Sequence, residues 1–122
     1  MSTSDLGQYG ENLALKFLED RGYTILGQNF RRPWGEIDII CQKNGVIVFV
    51  EVKTNKKEMA GFEPESRVSG DKLDRMVRIA RTYLVYKKFP DDQEWQLDVI
   101  AVTINKERGV ANIRHYKNID LE

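Results

Sequence analysis

Two stretches of this sequence put charge where apolar side chains would be expected. In Gly35-Glu36-Ile37-Asp38-Ile39-Ile40 an aspartate interrupts an apolar run, and Val48-Phe49-Val50-Glu51-Val52-Lys53 ends a similar run in an acid and an amine. Two carboxylates held close together repel. A hard divalent cation offsets that repulsion, because magnesium takes carboxylate oxygens and keeps several waters for a substrate phosphate. Such an ion activates water and polarises a phosphoryl oxygen, which is the chemistry of phosphodiester hydrolysis. Asp38 and Glu51 are the candidate ligands, and Lys53 could orient or deprotonate the attacking water or stabilise charge on the phosphate. A Glu-x-Lys triplet preceded by an Asp arises often by composition alone, with each charged type near ~6% of residues. The same charges also fit a plain ion-pair ladder from Glu51 and Glu36 to Lys53, so their placement has to decide.

Placement follows from the elements around them. Gln42-Lys43-Asn44-Gly45 separates the two runs, and Asn-Gly between apolar runs is a strong hairpin signal. A two-residue Asn44-Gly45 turn pairs Lys43 with Val46, Ile40 with Phe49, Asp38 with Glu51 and Glu36 with Lys53. Side chains alternate faces along a strand, so this register predicts Glu36, Asp38, Glu51 and Lys53 on one face. The second run carries Val46, Val48, Val50 and Val52 on one face and Ile47 and Phe49 on the other, as a central strand covered on both sides would.

The remaining elements complete one sheet. Leu6, Gly10, Leu13, Ala14, Phe17 and Leu18 recur at helical spacing and predict a helix over 2–21, capped by Ser2 and stopped by Gly22. Strands are predicted over 23–31, 36–41 and 46–53, with Pro33-Trp34-Gly35 as a turn. A long loop over 56–70 precedes a second helix over 71–88, capped by Ser69, with Leu73, Met76, Val77, Ala80 and Leu84 inward. Strands over 95–103 and 110–116 close the chain, joined through 105–109. The order is αβββαββ, an α/β fold with a single mixed five-stranded sheet and a helix for each face.

Bulk properties narrow the function. With 122 residues, 41% of them hydrophobic, the chain suits a single domain over 1–122 with one core. No apolar run approaches the ~20 residues of a membrane helix, and the first residues lack the basic and apolar regions of a signal peptide. Its one cysteine, Cys41, excludes an internal disulfide and suits a reducing cytoplasm. One Cys and one His cannot build a zinc site, so any metal must be held by oxygen. Net charge is zero, but 66–88 holds Arg67, Lys72, Arg75, Arg78, Arg81, Lys87 and Lys88 against Asp71 and Asp74. A solvated, ion-paired helix face is the plainer account of that run.

The two charged strands resemble the PD-(D/E)xK nuclease motif. More narrowly they are similar to the YraN-like bacterial family, an uncharacterised group related to Holliday-junction resolvases and restriction endonucleases. Gly7-Gln8-Tyr9-Gly10-Glu11-Asn12-Leu13-Ala14 with Leu18 and Gly22-Tyr23 resembles that family's opening helix. Lys72 with Ala80 and Tyr83-Leu84 resembles its second helix, and 97–102 its fourth strand. Ile37 stands where the motif usually has proline, a departure the family shares. The resemblance implies a restriction-endonuclease-like core with Asp38 and Glu51 on Mg²⁺ or Mn²⁺, Lys53 as the catalytic lysine, and Glu11 reaching the metal from the first helix.

Other residues take secondary parts in this reading. Glu36 is expected behind the metal ligands as a supporting acid, with pairing to Lys53 as the alternative. Arg31, Arg32, Lys72, Arg75 and Arg78 are expected to contact nucleic acid, with Trp34 either stacking on a base or capping the core. Asp98 reads as structural, and His115 as structural or a surface residue. The expected protein is a Mg²⁺- or Mn²⁺-dependent endonuclease acting on nucleic acid, DNA above all, including branched or damaged structures, and working as a homodimer. Two rivals are a non-catalytic nucleic-acid-binding protein that keeps the fold, and an adaptor whose acids sit in salt bridges.

Overall fold

A computed structural model describes residues 2–56, 70–105 and 107–119. The first helix, α1 (Thr3–Asp20), starts where the Ser2 hydroxyl accepts a hydrogen bond from Asp5 N–H at 3.1 Å. It buries Leu6, Gly10, Ala14 and Leu18, one residue per turn. It stops where Gly22 takes a φ of 88° and Tyr23 N–H returns to the Leu18 carbonyl. The strands are β1 (Thr24–Arg32), β2 (Gly35–Lys43), β3 (Val46–Lys56), β4 (Trp95–Asn105) and β5 (Val110–Tyr116), and the second helix is α2 (Gly70–Tyr86).

All five strands form one sheet in the order β1-β2-β3-β4-β5, with β3 and β4 parallel and the other neighbours antiparallel. The predicted order αβββαββ and the mixed sheet are both present. Asn44 and Gly45 have φ of 52° and 80°, the pair of positive values a two-residue hairpin turn needs. They set the predicted register, Lys43↔Val46 and Ile40↔Phe49.

Strand and helix ends differ from the sequence reading for identifiable reasons. β3 continues past Lys53 because its parallel ladder with β4 runs on through Lys56↔Ile104. The antiparallel ladders on either side likewise carry β2 out to Gly35 and Lys43. α2 ends at Tyr86 rather than 88, since Lys88 has a φ of 59° and Phe89 N–H bonds back to the Leu84 carbonyl. The interior of the loop expected over 56–70, with the Ser69 cap, lies outside the described residues.

Each face of the sheet has its own apolar cluster. Leu6, Ala14 and Leu18 of α1 meet Ile39, Cys41, Val48, Val50, Ile100 and Val102. On the other side Leu73, Met76, Ile79, Ala80 and Tyr83 of α2 meet Ile37, Ile40, Ile47, Phe49 and Leu97. The alternation read in β3 is therefore correct, with its valines toward α1 and Ile47 and Phe49 toward α2.

Candidate functional site

The charged ends of β2 and β3 lie where those two strands part. Their paired ladder stops at Ile39↔Val50, one residue short of Asp38 and Glu51. In place of a further backbone bond, Val52 N–H donates to Asp38 Oδ2 at 2.7 Å. This bond anchors the Asp38 carboxylate beside the backbone of Glu51 and Val52. Burial and the charge on Glu51 push the Asp38 carboxyl up to about 7, against the downward pull of the Val52 bond. Glu11 and Glu36 add to that upward push. Glu51 is itself buried, and the Lys72 ammonium of α2 pairs with it.

Simple alternation does not carry through this part of β2. Ile37 and Ile40 both pack toward α2, while Ile39 and Cys41 pack toward α1, so the two-residue period is broken between 37 and 40. The cause lies in two neighbours. Across β1 the flanking pairs are Gln28↔Ile39 and Phe30↔Ile37, and Asn29 between them has a φ of 51°. Meanwhile the Asp38 side chain, not its backbone, satisfies Val52. The predicted single face for Glu36, Asp38, Glu51 and Lys53 is therefore corrected. Glu36 does not face Lys53; its Oε2 accepts from Arg31 Nε at 2.5 Å, and that carboxylate holds the Arg31 guanidinium pKa up. The cations seen on these two acids are Lys72 on Glu51 and Arg31 on Glu36. Lys53 follows Glu51 by two residues on β3, beside Ala101 of β4, which puts both on one face of that strand.

Glu11 comes to this cluster from α1. The helix approaches β3 closely because Gly10 has no side chain: a Cβ there would lie 2.0 Å from Thr54 Oγ1 and 2.7 Å from its Cγ2. Burial raises the Glu11 carboxyl, a hydrogen bond from Asn29 opposes that, and the charges of Glu36 and Glu51 add to the rise. Its Oε1 is buried and accepts no hydrogen bond. An orphaned carboxylate oxygen of this kind is costly unless something positive reaches it.

Does this set suit a hard cation? Among the described residues, no three His, Cys, Asp or Glu side chains stand together as a metal-holding group. Each acid has its own partner instead: Val52 N–H holds Asp38, Lys72 pairs with Glu51, and Asn29 bonds Glu11. The donor chemistry nevertheless fits: the acids offer oxygen alone, neighbouring acids push the carboxyls of Asp38 and Glu11 up, and Glu11 Oε1 is unsatisfied.

The basic residues divide into two groups. Arg31 and Lys72 are tied to acids of the cluster. Arg78 instead lies over the Trp34 ring, 4.0 Å from its centroid, and Arg32 over Phe30 at 4.3 Å. Arg32 and Arg78, with Arg81, Val85 and Tyr86, line an open groove of about 650 Å³ beside α2. Arg75 stands one helical turn before Arg78, its Cβ against Gly35. Arg81, read from sequence as a solvated position, belongs to this groove. Trp34 packs against the α2 cluster and carries Arg78 on its face.

Two residues of the cluster escaped the sequence reading. Asn29 takes a positive φ within β1 and supports Glu11; its one legible signal was that asparagine tolerates positive φ. Lys72 was read as a phosphate contact, and nothing in sequence brings it to Glu51. Asp98 and His115 are structural, as expected. Asp98 is fully buried and accepts from Gln96 Nε2 and Asn118 N–H, both at 2.9 Å, with His115 Nε2 2.6 Å from its Oδ2.

The fold and the cluster together define a small α/β protein with a group of acids where two central strands part, one of them paired to a lysine of the second helix. Comparison with known proteins narrows that class. The model of the uncharacterised protein family UPF0102 matches residues 10–102, and the chain belongs to that family. A UPF0102 protein of Fervidobacterium nodosum is 42% identical over 113 residues, covering 92% of this chain and 79% of its own. One from Clostridium beijerinckii is 40% identical over 114 residues, covering 93% and 91%. A third, from Caldicellulosiruptor bescii, is 38% identical over 118 residues, covering 97% and 98%. No helix among the described residues is long and apolar enough to cross a membrane.

Proposed function

We propose that this protein is a metal-dependent endonuclease that hydrolyses phosphodiester bonds of nucleic acid, DNA first, branched or damaged forms included. One observation carries the reading. Asp38 is held on Val52 N–H beside Glu51, with their charges in opposition and a buried, unpartnered Glu11 oxygen sharing the same electrostatic neighbourhood. A purely structural ion-pair network would give each acid a cation, whereas Asp38 is held by a backbone amide and one Glu11 oxygen is unsatisfied. The resemblance to PD-(D/E)xK nucleases points the same way.

Asp38, Glu51 and Glu11 would hold Mg²⁺ or Mn²⁺. Bound there, the ion would supply a water of lowered pKa and neutralise charge developing on the phosphate. The protein's own groups do the rest. Lys53 Nζ would donate to a non-bridging phosphate oxygen or orient the attacking water. Glu36 and Arg31 would brace the edge of the cluster through their ion pair. Arg75, Arg78 and Arg32 would position the backbone of the strand leading away along α2, and Arg78 already stacked on Trp34 resembles a base-stacking platform.

Cleavage of linear, flapped and four-way DNA in Mn²⁺ tests the proposal. Wild type is expected to cut at least one of them, Asp38→Ala and Lys53→Ala none. Equal cutting by both variants would overturn the mechanism. Wild type that binds DNA without cutting it would favour the binding-protein reading.

A further inference from the structure

The Lys72–Glu51 pair stands out within the cluster. Lys72 is on α2, outside the strand motif, yet its ammonium reaches a carboxylate whose side chain is only 11% exposed. The Lys72 side chain itself is 41% exposed, so its stem crosses from solvent into an acidic site. Of the three acids read as metal ligands, Glu51 pairs with a cation, Asp38 with a backbone amide and Glu11 with an asparagine. A flexible, compact ammonium can occupy the place of a small cation and can also be displaced, as a rigid guanidinium fork cannot so readily.

We propose that Lys72 is a resident stand-in cation: it holds Glu51 while the site is metal-free, gives Glu51 up on metal loading, and then turns toward a substrate phosphate. This rests on the metal reading of the cluster. Three consequences follow from the charge arrangement. Lys72 offsets the charge of Glu51 while no ion is bound. It competes with the ion, so that loading is weak without substrate. And it joins Arg75 and Arg78 on α2 only once the site is filled, which couples metal loading to phosphate contact.

The test uses the full chain, stripped of divalent ions and free of nucleic acid. Mn²⁺ affinity is measured by calorimetry for wild type, Lys72→Met and Arg75→Met. Lys72→Met should bind Mn²⁺ more tightly, by roughly three- to five-fold on the scale of a partly exposed ion pair. Arg75→Met removes the same charge one turn away, and its affinity should stay near wild type. A second readout leaves the chain unaltered: the Lys72 ¹⁵Nζ signal, visible while the pair holds, should shift or broaden as Mg²⁺ is added. Equal Mn²⁺ affinity in wild type and Lys72→Met, equal gains in both variants, or an unmoved Lys72 signal at saturating Mg²⁺ would overturn the inference while leaving the metal site standing. Absence of Mn²⁺ binding from wild type and Lys72→Met alike would overturn the metal reading and this inference with it.

Discussion

Replacing Asp38 with asparagine should make the metal-free protein more stable at alkaline pH. Asparagine keeps an oxygen for Val52 N–H but removes a charge that burial and Glu51 both oppose. The carboxyl rises from an ordinary 3.8 to about 7 on folding. Below about pH 4 it is protonated in folded and unfolded chains alike and contributes nothing to the balance. Between about 4 and 7 the folded protein keeps a proton that the unfolded chain has lost, so wild-type stability falls as pH rises through that window. Above about 7 the loss is complete. Roughly 3 pH units at ~1.4 kcal/mol each set an upper bound of about 4 kcal/mol. The repulsion is shared with Glu51 and the amide bond is weaker to a neutral oxygen, so about 2–4 kcal/mol is the expected gain. For a chain of this size that is a rise of roughly 6–15 °C in melting temperature. Melting curves in chelator at pH 4, 5.5 and 8 read it directly: no difference at pH 4, a growing one above it. A variant no more stable than wild type at pH 8, or equally stabilised at pH 4, would refute the reasoning. Adding Mn²⁺ at pH 8 should then raise the wild-type melting temperature and leave the variant's unchanged.

Gly10→Ala would normally favour a helix by about 1 kcal/mol. Here the new Cβ collides with Thr54, so denaturant titration should show a loss of about 1–3 kcal/mol, and Thr54→Ser combined with it should recover only part. Asn29→Ala should cost about 1–2 kcal/mol by straining a positive φ and removing the Glu11 partner. Asn29→Gly should recover the backbone share of that loss alone. Asp98→Ala leaves Gln96, Asn118 and His115 without their shared buried acceptor and should cost about 3 kcal/mol or more in thermal melts.

Much of this molecule is written locally in its chain. The Ser2 cap, the Leu6–Gly10–Ala14–Leu18 stripe, the Asn44-Gly45 turn and the two-sided apolar pattern of β3 depend on residues a few positions apart, so they were legible and place two helices on opposite faces of one sheet. Asp38, Glu51 and Lys53 were legible too, because charge inside an apolar strand is conspicuous. Contacts between distant segments were not. That Asn29 takes a positive φ within β1, that β2 loses its alternation at Asp38, and that Glu36 turns to Arg31 depend on how three strands meet. Glu51 meeting Lys72 depends on where the crossover returns α2 to the sheet. Periodicity assigns a side chain to a face. It cannot say which partner a buried charge will find, because that choice is settled by desolvation and geometry once all the elements have packed.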